Sequence, residues 1–168
     1  MEVTMNPDRL RSRALPTDTY WLQVDDTAEP GRALAEAREA LQVKLLTGAA
    51  EVEVHDARQA VKAAEEALKA CYEPITVTAM EPPAWETLVA AHPPRRDNDS
   101  DDVWDTSTLP REAFLACAPK DWSRQEWEEY LDHKLSPAER EGLYLTAVGV
   151  NARVPDPTVP KGWTPTPA

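Results

Sequence analysis

The sequence predicts a mainly α protein with a small β element: a long antiparallel helical hairpin inserted between two antiparallel strands, followed by a small helical lobe. Three observations carry this. Two alanine-rich segments with apolar residues at three- and four-residue spacings meet at Gly48, which predicts paired helices. Short alternating runs rich in Tyr, Trp, Val, Ile and Thr flank them, which predicts strands. Two capping boxes, Ser123 with Glu126 and Ser136 with Glu139, then mark helix starts near the C-terminal end.

Residues 1–18 carry mixed charge without a period and are expected to form a disordered arm. Within Thr19 to Asp25, Tyr20, Leu22 and Val24 alternate against Trp21 and Gln23 as the first strand. After Glu29-Pro30-Gly31, a helix is expected from Arg32 to Thr47 on Leu34, Ala37, Leu41 and Leu45, with Gly48 as its stop. The next helix, Ala50 to Tyr72, carries Ala57, Val61, Ala64, Leu68 and Cys71 at four-three-four-three spacing. That is a heptad seam. One seam could build a coiled coil between chains, but two of similar length across a short turn pack more economically on each other, with arms of roughly 25 to 35 Å. Pro74 is expected to close the second helix, and Ile75 to Ala79 to pair antiparallel with Tyr20 to Val24. Two strands alone are marginal in water, so their apolar face needs a cover.

A short helix bounded by Pro82-Pro83 and Pro93-Pro94 puts Trp85, Leu88, Val89 and His92 on one face and completes a module over 19–94. Residues 95–107 read as an acidic flexible linker. Asp97, Asp99 and Asp101 mimic the opening of a calcium loop, but Asp102 stands where that loop needs Gly and Thr108 where it needs a bidentate Glu. Residues 108–151 form the helical lobe, with one helix on Phe114, Leu115 and Ala118, one on Trp127, Tyr130 and Leu131, and one from Pro137 to about Val150. The tail, 152–168, is proline-rich and expected to be disordered.

Composition narrows function. The chain has 18 Lys plus Arg against 30 Asp plus Glu, a formal charge of -12, which disfavours nucleic acid or an anionic membrane as partner. No apolar run approaches the roughly 20 residues of a membrane span, and the first residues lack the apolar segment of a signal peptide. A cytosolic location with reduced Cys71 and Cys117 is expected. His55, His92 and His133 are scattered, no Cys or His pair has zinc-ligand spacing, and five dispersed glycines form no phosphate loop. Glu65-Glu66 and Glu128-Glu129 read as solvated helix surface. No catalytic residue, cofactor or metal is expected.

The aromatics are the informative group. Trp122, Trp127, Tyr130 and Tyr144 crowd into the lobe, while Trp104 and Trp163 lie in loop and tail. Trp127 and Tyr130 serve well as core anchors; the sharper reading makes Trp122, Trp127, Tyr130 and Tyr144 an exposed partner-binding patch, since Trp and Tyr dominate interaction hot spots.

The segment CYEPITVTAMEPPAWETLVAAHPPR after an alanine-rich hairpin, then a variable loop, FLACA, an acidic Trp-containing helix and LYLTAVGVNARVPDP, resembles tail assembly chaperones of long-tailed, siphovirus-type bacteriophages infecting actinobacteria. The similarity spans about residues 30–160, most specifically Glu73 to Pro94 and Leu143 to Asn151. Where that family carries an Asn-Pro-Asp-Thr-Phe-like run, this chain has DDVWDTSTLPREAF. The resemblance implies a non-enzymatic protein of the infected host's cytoplasm. It would bind the tape-measure protein, with the tail tube protein and a second copy of the chain as further candidate partners, and be absent from the mature virion. The alternative is a virion structural protein, a minor tail or head-tail connector component, with the helical hairpin as its oligomerisation arm. Either role asks for apolar stripes that the chain itself seals only in part.

Overall fold

A computed structural model describes residues 5–152. Apart from Ala152, the expected proline-rich tail with Trp163 lies outside the described residues. The elements are α1 (Pro7–Arg11), β1 (Thr17–Gln23), α2 (Ala28–Thr47), α3 (Glu51–Lys69), β2 (Tyr72–Thr78), α4 (Pro82–Ala91), α5 (Leu109–Cys117), α6 (Arg124–His133) and α7 (Pro137–Asn151). The predicted order holds: a helical hairpin between two paired strands, then short helices.

Part of the expected disordered arm is regular. Asn6 Oδ1 accepts from the N–H groups of Asp8 and Arg9, and Pro7 opens α1 where a missing N–H costs nothing. Helix α2 also begins earlier than Arg32. Pro30 falls in its first turn, whose N–H groups have no intrahelical acceptor, so the proline is tolerated.

The strands pair antiparallel as predicted, in a different register. Val24 N–H donates to Cys71 O at 2.9 Å, Ala79 N–H to Pro16 O at 2.8 Å, and the Thr19 and Thr76 hydroxyls meet at 2.9 Å. Tyr20 therefore faces Ile75 rather than Ala79. Helix α3 stops at Lys69, short of the expected Tyr72, so β2 starts sooner and includes Pro74. The slip is even-numbered, and each side chain keeps its expected face. Pro74 lies opposite Trp21 at a position whose N points away from β1, so no ladder hydrogen bond is lost.

The chain forms two compact units, Trp21–Ile75 and the remainder, and the division falls inside both strands. In the first, α2 and α3 pack along the predicted seam within one chain. Leu34 and Ala57 are buried, with Ala37, Leu41, Val61, Ala64 and Leu68 half-buried beside them. Gly48 turns the chain at φ 67°, its N–H bonded to Lys44 O. One seam position differs from expectation. Leu45 is 53% exposed, and Lys44 faces α3 instead, 3.7 Å from Glu53. The steps of 3.6 residues per turn carry the stripe to Lys44 by the last turn. Arg38 and Glu65 pair across the arms at 2.8 Å.

In the second unit, α5 is the central element. Leu109, Ala113, Phe114, Leu115 and Cys117 are all buried, and α5 touches α4, α6 and α7. Val77 from β2, Leu131 from α6 and Leu143 and Ala147 from α7 complete a core with no solvent exposure at these positions. Each large aliphatic side chain so enclosed stabilises by about 1.5–3 kcal/mol. Gly142 lets the Tyr20 ring pack directly on α7; a Cβ there would sit 2.5 Å from the ring.

The end of α7 is tied into this core by one amide. Asn151 Oδ1 accepts from Met80 N–H at 2.8 Å, and its Nδ2 donates to Ala147 O at 2.7 Å and toward Cys117 Sγ at 3.2 Å. Strand, inner helix and outer helix are thus joined at a single side chain.

The expected flexible linker, 95–107, lies inside this unit and is held by charge. The Asp101 side chain has 0% exposure. It accepts from the Arg95 guanidinium at 2.7 and 3.0 Å, from Arg95 N–H, and from Thr106 through both N–H and hydroxyl. Asp105 N–H caps His92 O at 2.9 Å, His92 Nδ1 meets Thr108 Oγ1 at 2.9 Å, and Trp104 packs edge-on to Trp85 with centroids 6.0 Å apart. Repulsion among like charges is outweighed here because one acid turns inward onto an arginine.

Two outcomes follow from these contacts. Asn151→Ala leaves Met80 N–H without its acceptor and should destabilise the chain by about 1–3 kcal/mol in urea unfolding. Bonding to Arg95, followed by the bonds from Arg95 N–H and Thr106, holds the Asp101 carboxyl far below its ordinary value of 3.8. Its contribution is therefore full above that value and declines as pH falls toward the depressed folded-state value. Asp101→Asn should lower the Tm at pH 7, and the gap from the parent protein should shrink as both are melted toward pH 2.

Candidate functional site

Helix α6 carries the aromatic cluster. Its start is secured by the predicted capping box: Glu126 N–H donates to Ser123 Oγ at 3.3 Å, and Ser123 N–H to Glu126 Oε2 at 2.7 Å. The same arrangement at Ser136 and Glu139 starts α7. Ser123's backbone N–H, then its hydroxyl, lowers the Glu126 pKa, so this carboxylate stays ionised.

The cap fixes where Trp122 lies, one residue before Ser123. The Trp122 ring stacks at a tilt on Trp127 with centroids 4.6 Å apart and meets Tyr130 edge-on at 5.1 Å. Beneath them, Trp127 donates Nε1–H to Pro119 O at 3.0 Å and stands edge-on to Phe114 at 5.4 Å. Three of the four predicted partner-binding residues therefore come together. They differ in role: Trp122 is 41% exposed, Tyr130 is half-buried, and Trp127, at 6%, is enclosed.

The geometry gives two of the four residues different surroundings. Trp127 lies beneath the patch, with its ring edge-on to Phe114 and its N–H on Pro119 O. Tyr144 is not part of the cluster. It lies 6.3 Å from Phe114 and beside Arg111, which makes a two-pronged pair with Asp132 at 2.7 and 3.0 Å.

Trp122, Tyr130, Glu126, Glu129, His133 and Lys134 line an open cleft of about 420 Å³. Burial, and then the nearby Glu139 charge, raise the Tyr130 pKa, so the phenol stays protonated and offers a donor. Glu129 Oε1 accepts from Gln125 Nε2 at 3.2 Å. Sequence reading passed over Glu126 and Glu129 as floor of this cleft, although their i and i+3 spacing, four and seven residues after Trp122, places them on its face. A second cleft, about 520 Å³, has Leu15, Met80, Trp85 and Val150 among its walls.

The other candidates are dispersed. His92 bonds Thr108, and His133 sits in the last turn of α6. Among the described residues no three His, Cys, Asp or Glu side chains gather as metal ligands. Cys71 and Cys117 are both buried and unbridged, and burial raises the Cys117 pKa. No described helix is long and apolar enough to cross a membrane. The cleft thus brings aromatic rings, carboxylates and a protonated phenol together on one open surface.

Comparison of the chain with protein-family models, curated proteins and solved structures finds no match.

The enclosed and exposed tryptophans should respond differently to truncation. Trp127→Ala should cost about 3–5 kcal/mol by urea unfolding, whereas Trp122→Ala should cost about 1 kcal/mol.

Proposed function

We propose that this chain is a phage tail assembly chaperone that binds the tape-measure protein and keeps it soluble while the tail tube assembles. The observation that carries this reading is a partly sealed aromatic cleft on an otherwise well-packed helical unit: Trp122 remains 41% exposed above Trp127 at 6%. Leu145 on α7 adds a further apolar side chain at 62% exposure. A holding factor needs such incomplete closure, because the client's apolar stripes must be covered and later released. The chain's charge of -12 favours the same role by keeping the loaded complex soluble through self-repulsion. The segments Glu73 to Pro94 and Leu143 to Asn151, which carry the resemblance to such chaperones, are β2 with α4 and the latter half of α7 ending in Asn151.

A second reading is a virion structural protein. What favours it is the row of exposed Val43, Leu45, Leu46 and Val52 at the turn end of the hairpin, apolar side chains suited to contact between subunits. Mass spectrometry of purified particles separates the two, since a structural component persists there in fixed stoichiometry.

Co-expression with a siphovirus-type tape-measure protein should raise that protein's soluble yield several-fold and allow both to be recovered in a pull-down. Unchanged solubility with no recovery would sink the proposal.

A further inference from the structure

We infer that the α6 cleft is a docking point for a cationic side chain, Arg or Lys, carried on the apolar stripe of a partner helix. This deepens the proposed chaperone reading and rests on it for the partner's nature. Three features select the occupant. Trp122 is 41% exposed, and the centroid of the Tyr130 ring lies 5.1 Å from its own, so a cationic head can sit over an aromatic surface while its alkyl stem packs on the rings. Glu126 and Glu129 line the same cleft, and neither forms an ion pair among the described residues. Each has one oxygen engaged within the helix, at Ser123 N–H and Gln125 Nε2, which holds the carboxylates in place and leaves the second oxygen of each for a donor.

The neighbouring charges set direction. The other two acids of α6, Glu128 and Asp132, lie outside the cleft lining and are satisfied by Arg124 and Arg111. His133 and Lys134 close the cleft at the C-terminal end of α6. The surface thus runs from anionic beside Trp122 to cationic beside Lys134. A partner helix would place its basic residue at the Trp122 end and an acid or its own carbonyl terminus at the Lys134 end. Glu126, Tyr130 and His133 follow one another at four- and three-residue steps along α6, with Trp122 beside them just before the cap, a row that matches the spacing of side chains on a facing helix. The excess of acids over the whole chain adds attraction for a basic partner at long range.

The test uses the full chain and two fluorescein-labelled amphipathic peptides of about 20 residues, alike in their leucine stripe but flanked by Arg in one and Glu in the other. Fluorescence anisotropy should show the Arg peptide binding roughly tenfold more tightly at low salt, with the advantage shrinking as salt rises. Glu129→Lys, an exposed change with no packing role, should abolish the preference. Trp122→Ala should weaken the Arg peptide by about fivefold, while Trp21→Ala, in the other unit, should leave binding unchanged. Equal binding of the two peptides, or an unaltered preference in Glu129→Lys, would overturn the inference. Failure of the tape-measure co-expression with Arg-selective, Trp122-dependent binding intact would remove the chaperone reading and keep this site. Rescue of the tape-measure protein undiminished in Glu129→Lys and Trp122→Ala would do the reverse.

Discussion

A single half-buried amide ties three segments of the larger unit to one another. Asn151 stands at the last turn of α7, where the helix leaves carbonyl groups unpaired, and where the strand β2 has ended and its next N–H, at Met80, has no neighbouring strand to receive it. One carboxamide meets the second of these needs, since its oxygen takes Met80 N–H, while its nitrogen adds a bond to Ala147 O one turn back in α7. The third contact, to Cys117 Sγ, ties in the central helix α5. An acid in that place would lack the donor, and an aliphatic side chain would lack both. The packing of Phe114, Leu143 and Val77 depends on these three elements meeting in one arrangement, and the aromatic cluster of α6 is built on Phe114 in turn.

Charge has two separate uses in this acidic chain. Some carboxylates are consumed inside the fold: Asp101 in the Arg95 turn, Asp132 against Arg111, Glu112 and Glu128 against Arg124. Others, Glu126 and Glu139, complete helix starts. The exposed pairs contribute little stability individually, about 0–1 kcal/mol, whereas the enclosed Asp101 governs the path of a whole loop through its bonds to Arg95 and Thr106. A surplus of acid over base remains after these pairings, and it lies where another molecule can meet it.

The features readable from sequence were those written in local periods. Heptad spacing placed the hairpin, alternation placed the strands, and the Ser-x-x-Glu boxes placed the starts of α6 and α7. What escaped depends on partners distant along the chain. The register of Tyr20 against Ile75 follows from where α3 ends, and the inward turn of Asp101 follows from Arg95; neither leaves a periodic trace. The cluster of Trp122, Trp127 and Tyr130 was visible as composition, yet which ring faces solvent was decided by Phe114 and by Pro119, a backbone acceptor that no pattern announces. Tyr144 was grouped with them because residue type was visible and direction was not.

The two-stranded ribbon bears on a hazard unrelated to its packing. A short sheet exposes rows of backbone donors and acceptors along both rims, and such rims invite other chains to add themselves and grow into fibres. Here β2 places Pro74, which has no N–H, on its rim, and on β1 the N–H of Thr19 is already held by the Asp18 carboxylate at 2.8 Å. Templated stacking of one ribbon on the next is interrupted at both borders. A chain that leaves Leu46, Trp122 and Leu145 exposed thus keeps its sheet borders from adding a second route to aggregation.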